Sequence, residues 1–252
     1  MSHKLYPQTR LFLRGRLRHA MSAEEKATLE GLIESSQRFP DGHVILRRGD
    51  LAQDSTLLLE GFIARVIHSG DGRRHIVGFH VPGDFVDLHT FALKRLDHDL
   101  VSIGPVEVAF TGHRRIEQLV RDQPHLTRLL WFSTLLDAAI HREWILKLEE
   151  LKADQRLAHL VAELWHRLNF VELADPHGFN MPVMQADLAN ACGITAVHIN
   201  RVIRTLRERG VVELNRGRVS IPNRAALERF ATFNSDYLYG SGSLRVGDEL
   251  NV

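Results

Sequence analysis

The residues with the clearest chemical purpose run from 185 to 206: Gln-Ala-Asp-Leu-Ala-Asn-Ala-Cys-Gly-Ile-Thr-Ala-Val-His-Ile-Asn-Arg-Val-Ile-Arg-Thr-Leu. Small or apolar side chains at Ala186, Leu188, Ala189 and Cys192 let a short helix pack closely. Gly193 falls where the chain must turn sharply between two helices, a place that commonly needs a positive φ. Thr195 is positioned to cap a second helix. Its buried side is read as Val197, Ile199, Val202, Ile203 and Leu206, and its polar side as Ala196, His198, Asn200, Arg201 and Arg204. This is the pattern of a helix-turn-helix, in which the second helix enters the major groove and its first turns meet base edges. The residue types suit that task. Arg201 can donate two parallel hydrogen bonds to guanine O6 and N7, and Asn200 can pair bidentately with adenine. Thr195, at a helix N-terminus, can hold a phosphate.

The flanking residues agree with this reading. Val211 to Leu214 and Arg218 to Ile221, joined by Asn215-Arg216-Gly217, predict a β-hairpin wing. From Ala196 to Arg224 there are seven arginines against two glutamates, in a chain whose formal net charge is only +1. Positive charge is therefore concentrated here, as phosphate binding requires. The expected DNA-binding set is Gln185, Thr195, Ala196, Val197, His198, Asn200, Arg201, Arg204, Arg216 and Arg218. One alternative is an ordinary solvated helix pair. Another is an effector-binding module whose C-terminal domain mediates protein rather than DNA contacts. The first does not explain why turn, cap, basic helix and wing occur together and in order; the second is separated from DNA binding by a salt-dependent duplex affinity weakened by Arg201→Ala.

A second group of reactive side chains is looser. Asp87-Leu88-His89-Thr90-Phe91 through Asp97-His98-Asp99 is rich in ligand types, preceded by His75 and His80. His141-Arg142-Glu143-Trp144 lies further along, in a helical stretch. The effector-site candidates are Asp87, Leu88, His89, Asp97, His98, His141 and Arg142. Histidine with carboxylate suits zinc, iron or haem. The same groups suit a small anion held by Arg142, or a pH response. They also suit turn caps and a solvated loop with no ligand, and fifteen histidines in the chain dilute the weight of any one.

These groups need a scaffold. From about 38 to 112, short apolar runs alternate with turns such as Pro40-Asp41-Gly42, Ser69-Gly70-Asp71-Gly72 and Pro82-Gly83-Asp84. Strands are predicted at 43–46, 55–60, 62–68, 74–80 and 106–111, which makes a small antiparallel sandwich or roll. Ser22 and Glu25 form a capping-box pattern ahead of a short amphipathic helix. After Pro124 a long helix is predicted with two apolar stripes, Trp131/Leu135/Ala138/Ile145 and Leu129/Phe132/Leu136/Ala139/Leu146, on roughly opposite faces. A helix apolar on two faces must be covered twice. One face is assigned to the roll and the first stripe to a symmetry mate; the alternative is a core helix inside one large domain. A further helix is predicted at 154–169 with Asp154 as its N-cap.

The expected fold class is α+β. Residues 1–20 form a basic N-terminal arm and 21–123 a β-roll effector-like domain. Residues 124–152 form the dimerisation helix, 153–230 a winged helix-turn-helix, and 231–252 a flexible tail with Gly240-Ser241-Gly242-Ser243. A single cysteine, Cys192, excludes a disulfide within one chain and a cysteine-ligated iron–sulfur cluster. No apolar run long enough to span a bilayer occurs, and residues 1–18 lack the apolar segment of a secretory signal, so a cytoplasmic location without a membrane partner is expected. No Walker loop, G-x-S-x-G or H-E-x-x-H occurs, and nothing supports catalysis.

From about 38 to 224 the chain resembles the cyclic-AMP-receptor and fumarate–nitrate-reduction (Crp/Fnr) superfamily of transcription regulators. The carrying residues are Leu57-Leu58-Leu59-Glu60-Gly61, Val81-Pro82-Gly83-Asp84-Phe85, Pro124 at the head of the long helix, and Gly193 to Leu206, the most specific of them. The resemblance implies a cyclic-nucleotide-binding-like roll, a homodimer joined by the long helix on a palindromic DNA site, and a loop near 170–178 that touches RNA polymerase. The departures are informative. Nucleotide-binding members hold the ribose and cyclic phosphate with a Gly-Glu pair and an Arg-Ser pair; here the first falls on Asp87-Leu88 and the second within Asp99 to Ser102, without an arginine. An aspartate facing a phosphate is repulsive, so cyclic AMP is not expected to bind tightly. On the recognition helix the family's usual glutamate is replaced by Val197 while Arg201 keeps the arginine, which implies a different half-site with an apolar contact from Val197 to a thymine methyl. A usual phosphate-contacting arginine is Met184 here.

Overall fold

The computed structural model describes residues 5–215 and 217–240. Helix α1 (Ala23–Gly31) starts on the expected capping box. Ser22 Oγ accepts from the Glu25 N–H at 3.0 Å, and the Glu25 carboxylate accepts from the Ser22 N–H at 2.8 Å. Strands β1 (Ser35–Phe39), β2 (Val44–Leu46), β3 (Asp54–His68) and β4 (Arg74–His80) follow, then the short helix α2 (Thr90–Leu93) and strand β5 (Asp99–Gly112). They pair antiparallel in the order β1-β5-β3-β4, with β2 also on β5.

Three strands differ from expectation for physical reasons, one of them β5, which starts at Asp99 instead of 106 because it continues through Gly104-Pro105. The runs 55–60 and 62–68 are one strand, β3. Its register with β5 shifts on either side of Glu60, and Gly104-Pro105 on β5 falls in the matching gap between Ile103 and Glu107. Both interruptions sit at one bulge, where glycine and proline are tolerated without ending the strand. Strand β1 escaped notice because Ser-Ser-Gln-Arg-Phe is exposed along almost its whole length and carries no alternation. The roll interior is apolar, with Leu58, Ile63, Val86, Leu100 and Val108 buried.

Helix α3 (His113–Asp122) leads into α4 (Pro124–Glu150), which opens on proline where the missing N–H has no partner to lose. Leu129, Leu136 and Ala139 are buried as expected, but Leu146 is exposed, and Trp144 and Lys147 take the inner positions instead. A straight 3.6-residue helix drifts relative to a fixed stripe, which rotates the buried line over five turns. The opposite stripe is open: Trp131 is 65% exposed, Leu135 54% and Ile145 66%, with Ala138 half-buried between them.

Helix α5 (Ala153–Phe170) begins earlier than predicted. Lys152, not Asp154, is the N-cap, and its N–H donates to Gln155 Oε1 at 3.3 Å. Asp154 lies in the first turn, where negative charge meets the positive end of the helix dipole. The rest of the chain is β6 (Ala174–Asp175), β7 (Gly178–Asn180), α6 (Gln185–Cys192), α7 (Ala196–Glu208), β8 (Glu213–Asn215), β9 (Arg218–Ser220) and α8 (Arg224–Phe230), with a second sheet in the order β6-β7-β9-β8.

Both chain ends depart from the loose arm and tail expected of them. Phe12, Leu13 and Leu17 join a buried cluster with residues of α1, α3 and α4. Gly83, at φ +98, lies so close that a Cβ would stand 2.6 Å from the Leu11 carbonyl oxygen. Arg16 is buried, donates from Nε to the Leu238 carbonyl at 2.7 Å and stacks on Phe170. Ala231 and Leu238 are fully buried, and Tyr237 donates its hydroxyl to Glu163. Residues 5–20 and 231–240 are therefore part of the packed body. The remainder of the predicted tail, including Ser241-Gly242-Ser243, lies outside the described residues.

Candidate nucleic-acid interface

The turn between α6 and α7 is built as the residues predict. Gly193 ends α6 at φ +66, ψ +35, and the next N–H, of Ile194, returns to the Ala189 carbonyl at 3.0 Å. Thr195 caps α7 by accepting from the His198 N–H at 3.2 Å. Ile199, Val202 and Leu206 are buried under α7, and Ile203 is half-buried. Val197 does not share that face. It is 67% exposed, which corrects its assignment to the buried side and leaves it free for a base contact. Ala196, His198, Asn200, Arg201 and Arg204 are exposed beside it.

Other members of the set are less free. The Asn200 side-chain amide donates back to the Ala196 carbonyl at 3.0 Å and must rotate to meet a base. Arg218, on β9, pairs with Asp175 at 2.5 Å and reaches Asn180, so its charge is largely offset within the domain. Gln185 is exposed at the first position of α6. Arg216 lies outside the described residues. Cys192 is buried and its thiol is pushed up to about 11 by burial, so it packs the helix pair rather than reacting.

Sequence reasoning missed what holds α6. Asp187 is buried, accepts from the Met184 N–H at 3.3 Å, and takes a 2.6 Å ion pair from Arg74 at the start of β4. Arg167 on α5 is likewise buried and pairs with Asp84 of the roll at 2.6 Å and with Glu163 at 3.2 Å. The Arg74–Asp187 pair ties α6 to the roll, and the Arg167–Asp84 pair ties α5 to it. A lone arginine in a strand pattern carries no signal for such a partner, which lies about a hundred residues away.

The effector candidates converge only in part, the Arg65 charge acting on His89, His98 and His141. Asp87 is fully buried and accepts from the Thr56 N–H at 2.5 Å and the Thr56 hydroxyl at 2.9 Å; burial pushes its carboxyl up to about 7. It fastens the segment after the Gly-Asp-Phe turn to β3 and lines a cavity of about 280 Å³ with Leu46, Gln53 and Asp54. His89 and His98 lie elsewhere, ring centroids 5.8 Å apart, and Asp97 holds His98 Nδ1 at 2.6 Å. Leu88 is half-buried beside His89. His141 faces Arg65 at 3.2 Å, whereas Arg142 points outward along the exposed α4 stripe.

Between the roll and α4 stands a guanidinium that sequence reading did not single out. Arg65, 4% exposed, donates to Asp137 at 2.6 Å and to the Val86 carbonyl at 3.0 Å. Burial is the largest influence on the Asp137 carboxyl and works to raise it, but the neighbouring charges, Arg65 foremost with His80 and His141 behind it, together outweigh burial and hold it below the ordinary carboxylate value. Among the described residues, no three His, Cys, Asp or Glu side chains stand close enough together to hold a metal ion. None of the described helices is long and apolar enough to cross a membrane.

Comparison with known proteins agrees with this geometry. Residues 155–230 match the Crp-like helix-turn-helix domain, and residues 36–123 match the cyclic nucleotide-binding domain. The transcriptional activator protein FnrL of Cereibacter sphaeroides is 28% identical over 76% of this chain and 77% of its own length. The nitrogen fixation regulation protein FixK of Bradyrhizobium diazoefficiens is 24% identical over 77% and 80%. Among solved structures, FixK2 from Bradyrhizobium japonicum superposes with a TM-score of 0.70 at 20% identity, covering 79% of this chain and 98% of that one.

Proposed function

The chain belongs to the Crp/Fnr family of DNA-binding transcription regulators, and from that premise we propose that it works as a homodimer on a palindromic site, reading each half-site with α7. The observation that carries the reading is the face of α7. Val197, His198, Asn200, Arg201 and Arg204 are all exposed along it, behind the Thr195 cap. Arg201 is the guanine reader, Val197 the contact to a thymine methyl, and His198 and Asn200 the polar neighbours. Gln185, Thr195 and Arg204 are assigned to phosphates, as is Arg218 on exchanging its Asp175 partner for a phosphate; Arg216, outside the described residues, is assigned with them from the sequence. Selection from a randomised duplex library tests this. The expected outcome is a two-fold symmetric site with half-sites about one helical turn apart; an asymmetric site, or no enrichment, would refute it.

Two-fold pairing is supported by the open stripe Trp131, Leu135, Ala138, Arg142 and Ile145, whose four- and three-residue steps are those of a coiled-coil seam. The segment near 170–178, which includes strand β6, is assigned to RNA polymerase contact. The roll acts without cyclic AMP. Asp87 is buried and engaged by Thr56, and the Arg65 guanidinium between roll and α4 is already committed to Asp137. Native mass spectrometry with metal analysis of the purified protein tests whether any other ligand is carried. A stoichiometric metal, haem or other small molecule would make the protein a ligand-gated switch, and stoichiometric cyclic AMP would refute the reading of the roll.

A further inference from the structure

A groove of about 420 Å³ opens between α2, α3 and the first half of α4. Its α4 wall is Thr127, Leu130, Trp131 and Thr134, with Leu130 buried as the floor. Those four residues are spaced i, i+3, i+4 and i+7, the diamond that receives one side-chain knob from a facing helix. The opposite walls come from α2 and α3, where Leu93 is 64% exposed and Val120 40%.

We infer that this groove seats Trp131 of a second copy of the chain, so that each protomer's indole docks against the α2–α3 wall of its partner. The inference rests on the homodimer proposed above and adds to it a specific contact. Three observations select this occupant. Trp131 belongs both to the groove wall and to the open α4 stripe, so the groove is continuous with the seam and not a separate hollow. In a two-fold parallel helix pair each seam residue stands level with its own copy, so the partner's Trp131 arrives beside Trp131 at the seam edge of the groove. The chemistry also matches an indole, which needs an apolar bed and one hydrogen-bond acceptor at its edge. Thr127 and Thr134 donate their hydroxyls back to the Gln123 and Leu130 carbonyls, which leaves their oxygens free to accept an N–H. His89 stands in the same wall. Because α2 follows directly on the Asp87 segment, the contact would make the cassette after the Gly-Asp-Phe turn part of the dimer interface.

The three tryptophans allow a direct test, since Trp144 and Trp165 are buried and Trp131 is the exposed one. Acrylamide quenching of Trp131, isolated by subtracting Trp131→Phe, would be measured on the native chain and on Leu135→Glu/Ile145→Glu as a monomeric reference, with sedimentation giving the mass of each. The expected result is a dimer in which Trp131 is shielded and a monomer in which it is fully quenchable. Val120→Glu should re-expose Trp131 while the fold, followed by Trp144 and Trp165 emission, is retained. Trp131→Ala should raise the dissociation constant by roughly 30-fold or more, as for a central aromatic hot spot. A native dimer whose Trp131 stays as quenchable as in the monomer would overturn the groove contact and leave the dimer standing. Shielding that persists in the monomeric reference would show that a small apolar molecule or another part of the chain fills the groove, which also overturns it. A native chain that is monomeric throughout would overturn the dimer reading itself.

Discussion

Lowering the pH from 6.5 to 5 should destabilise this protein, and the structure sets the size of the loss. His80, His89 and His159 are each pulled down to about 4, chiefly by burial, from an ordinary value of 6.5. A histidine held neutral in the fold contributes stability that is present above 6.5 and is lost progressively as pH falls toward 4, because the unfolded chain takes up the proton first. Asp87 works in the other direction. Burial raises it to about 7, so its contribution is full below its ordinary 3.8 and is lost as pH rises through 7. Near pH 5.5, three histidine protons are bound mainly by the unfolded chain and one aspartate proton mainly by the folded one. The difference approaches two protons, and at about 1.4 kcal/mol per proton per pH unit stability should fall by roughly 2 kcal/mol for each unit of acidification. His98, His113 and His166 are also lowered by burial and steepen the trend. The assay is urea unfolding at fixed protein concentration between pH 5 and 7. Asp87→Asn should steepen the slope by removing the opposing proton, and His80→Gln should make it shallower. Stability that is flat or rising below pH 6.5, or an Asp87→Asn slope that becomes shallower, would refute the reasoning.

Further outcomes follow from the same geometry. Asp137→Leu leaves the Arg65 guanidinium buried without its carboxylate, facing the Val86 carbonyl and the His141 ring, and should cost about 3 kcal/mol, while Arg65→Met/Asp137→Leu should recover most of that loss; urea midpoints of the two variants check it. Gly193→Ala meets no clash, its nearest neighbour lying 3.7 Å from the added carbon, but at φ +66 it should cost about 1 kcal/mol through backbone strain, read by thermal unfolding. Met184 is 61% exposed ahead of α6, and Met184→Arg should steepen the dependence of duplex affinity on salt by about 0.9 in log–log slope, measured by fluorescence anisotropy.

How much of this could be read in advance depended on how local the cause was. The turn at Gly193, the Thr195 cap, the hairpin of β8 and β9 and the capping box at Ser22 were legible because each is set by residues within a few positions of one another. Strand β1 was not, since a polar edge strand carries no periodicity. The chain ends were misjudged for a related reason. Leu11, Phe12, Leu13 and Leu17 bury themselves with no repeating spacing, through turns at irregular dihedrals such as Leu13 at φ +53. The effector candidates were gathered by nearness in sequence, whereas tertiary packing brings Asp87 to Thr56 of β3 and His141 of α4 to Arg65. Most of the buried charge, in Arg16, Arg65, Asp84, Asp137, Glu163 and Arg167, finds its partners across the roll, α4, α5 and the C-terminal segment, a pattern that only tertiary structure displays.

The most direct test of the central claim, that α7 reads duplex DNA, is the affinity of the native chain and of Arg201→Ala for a selected site, each titrated with salt. Arg201→Ala should weaken binding by about 1–3 kcal/mol and relax discrimination at one base pair of each half-site, while binding still falls steeply with salt through the remaining phosphate contacts. Equal affinity for selected and scrambled duplexes, with no change on Arg201→Ala, would contradict the account.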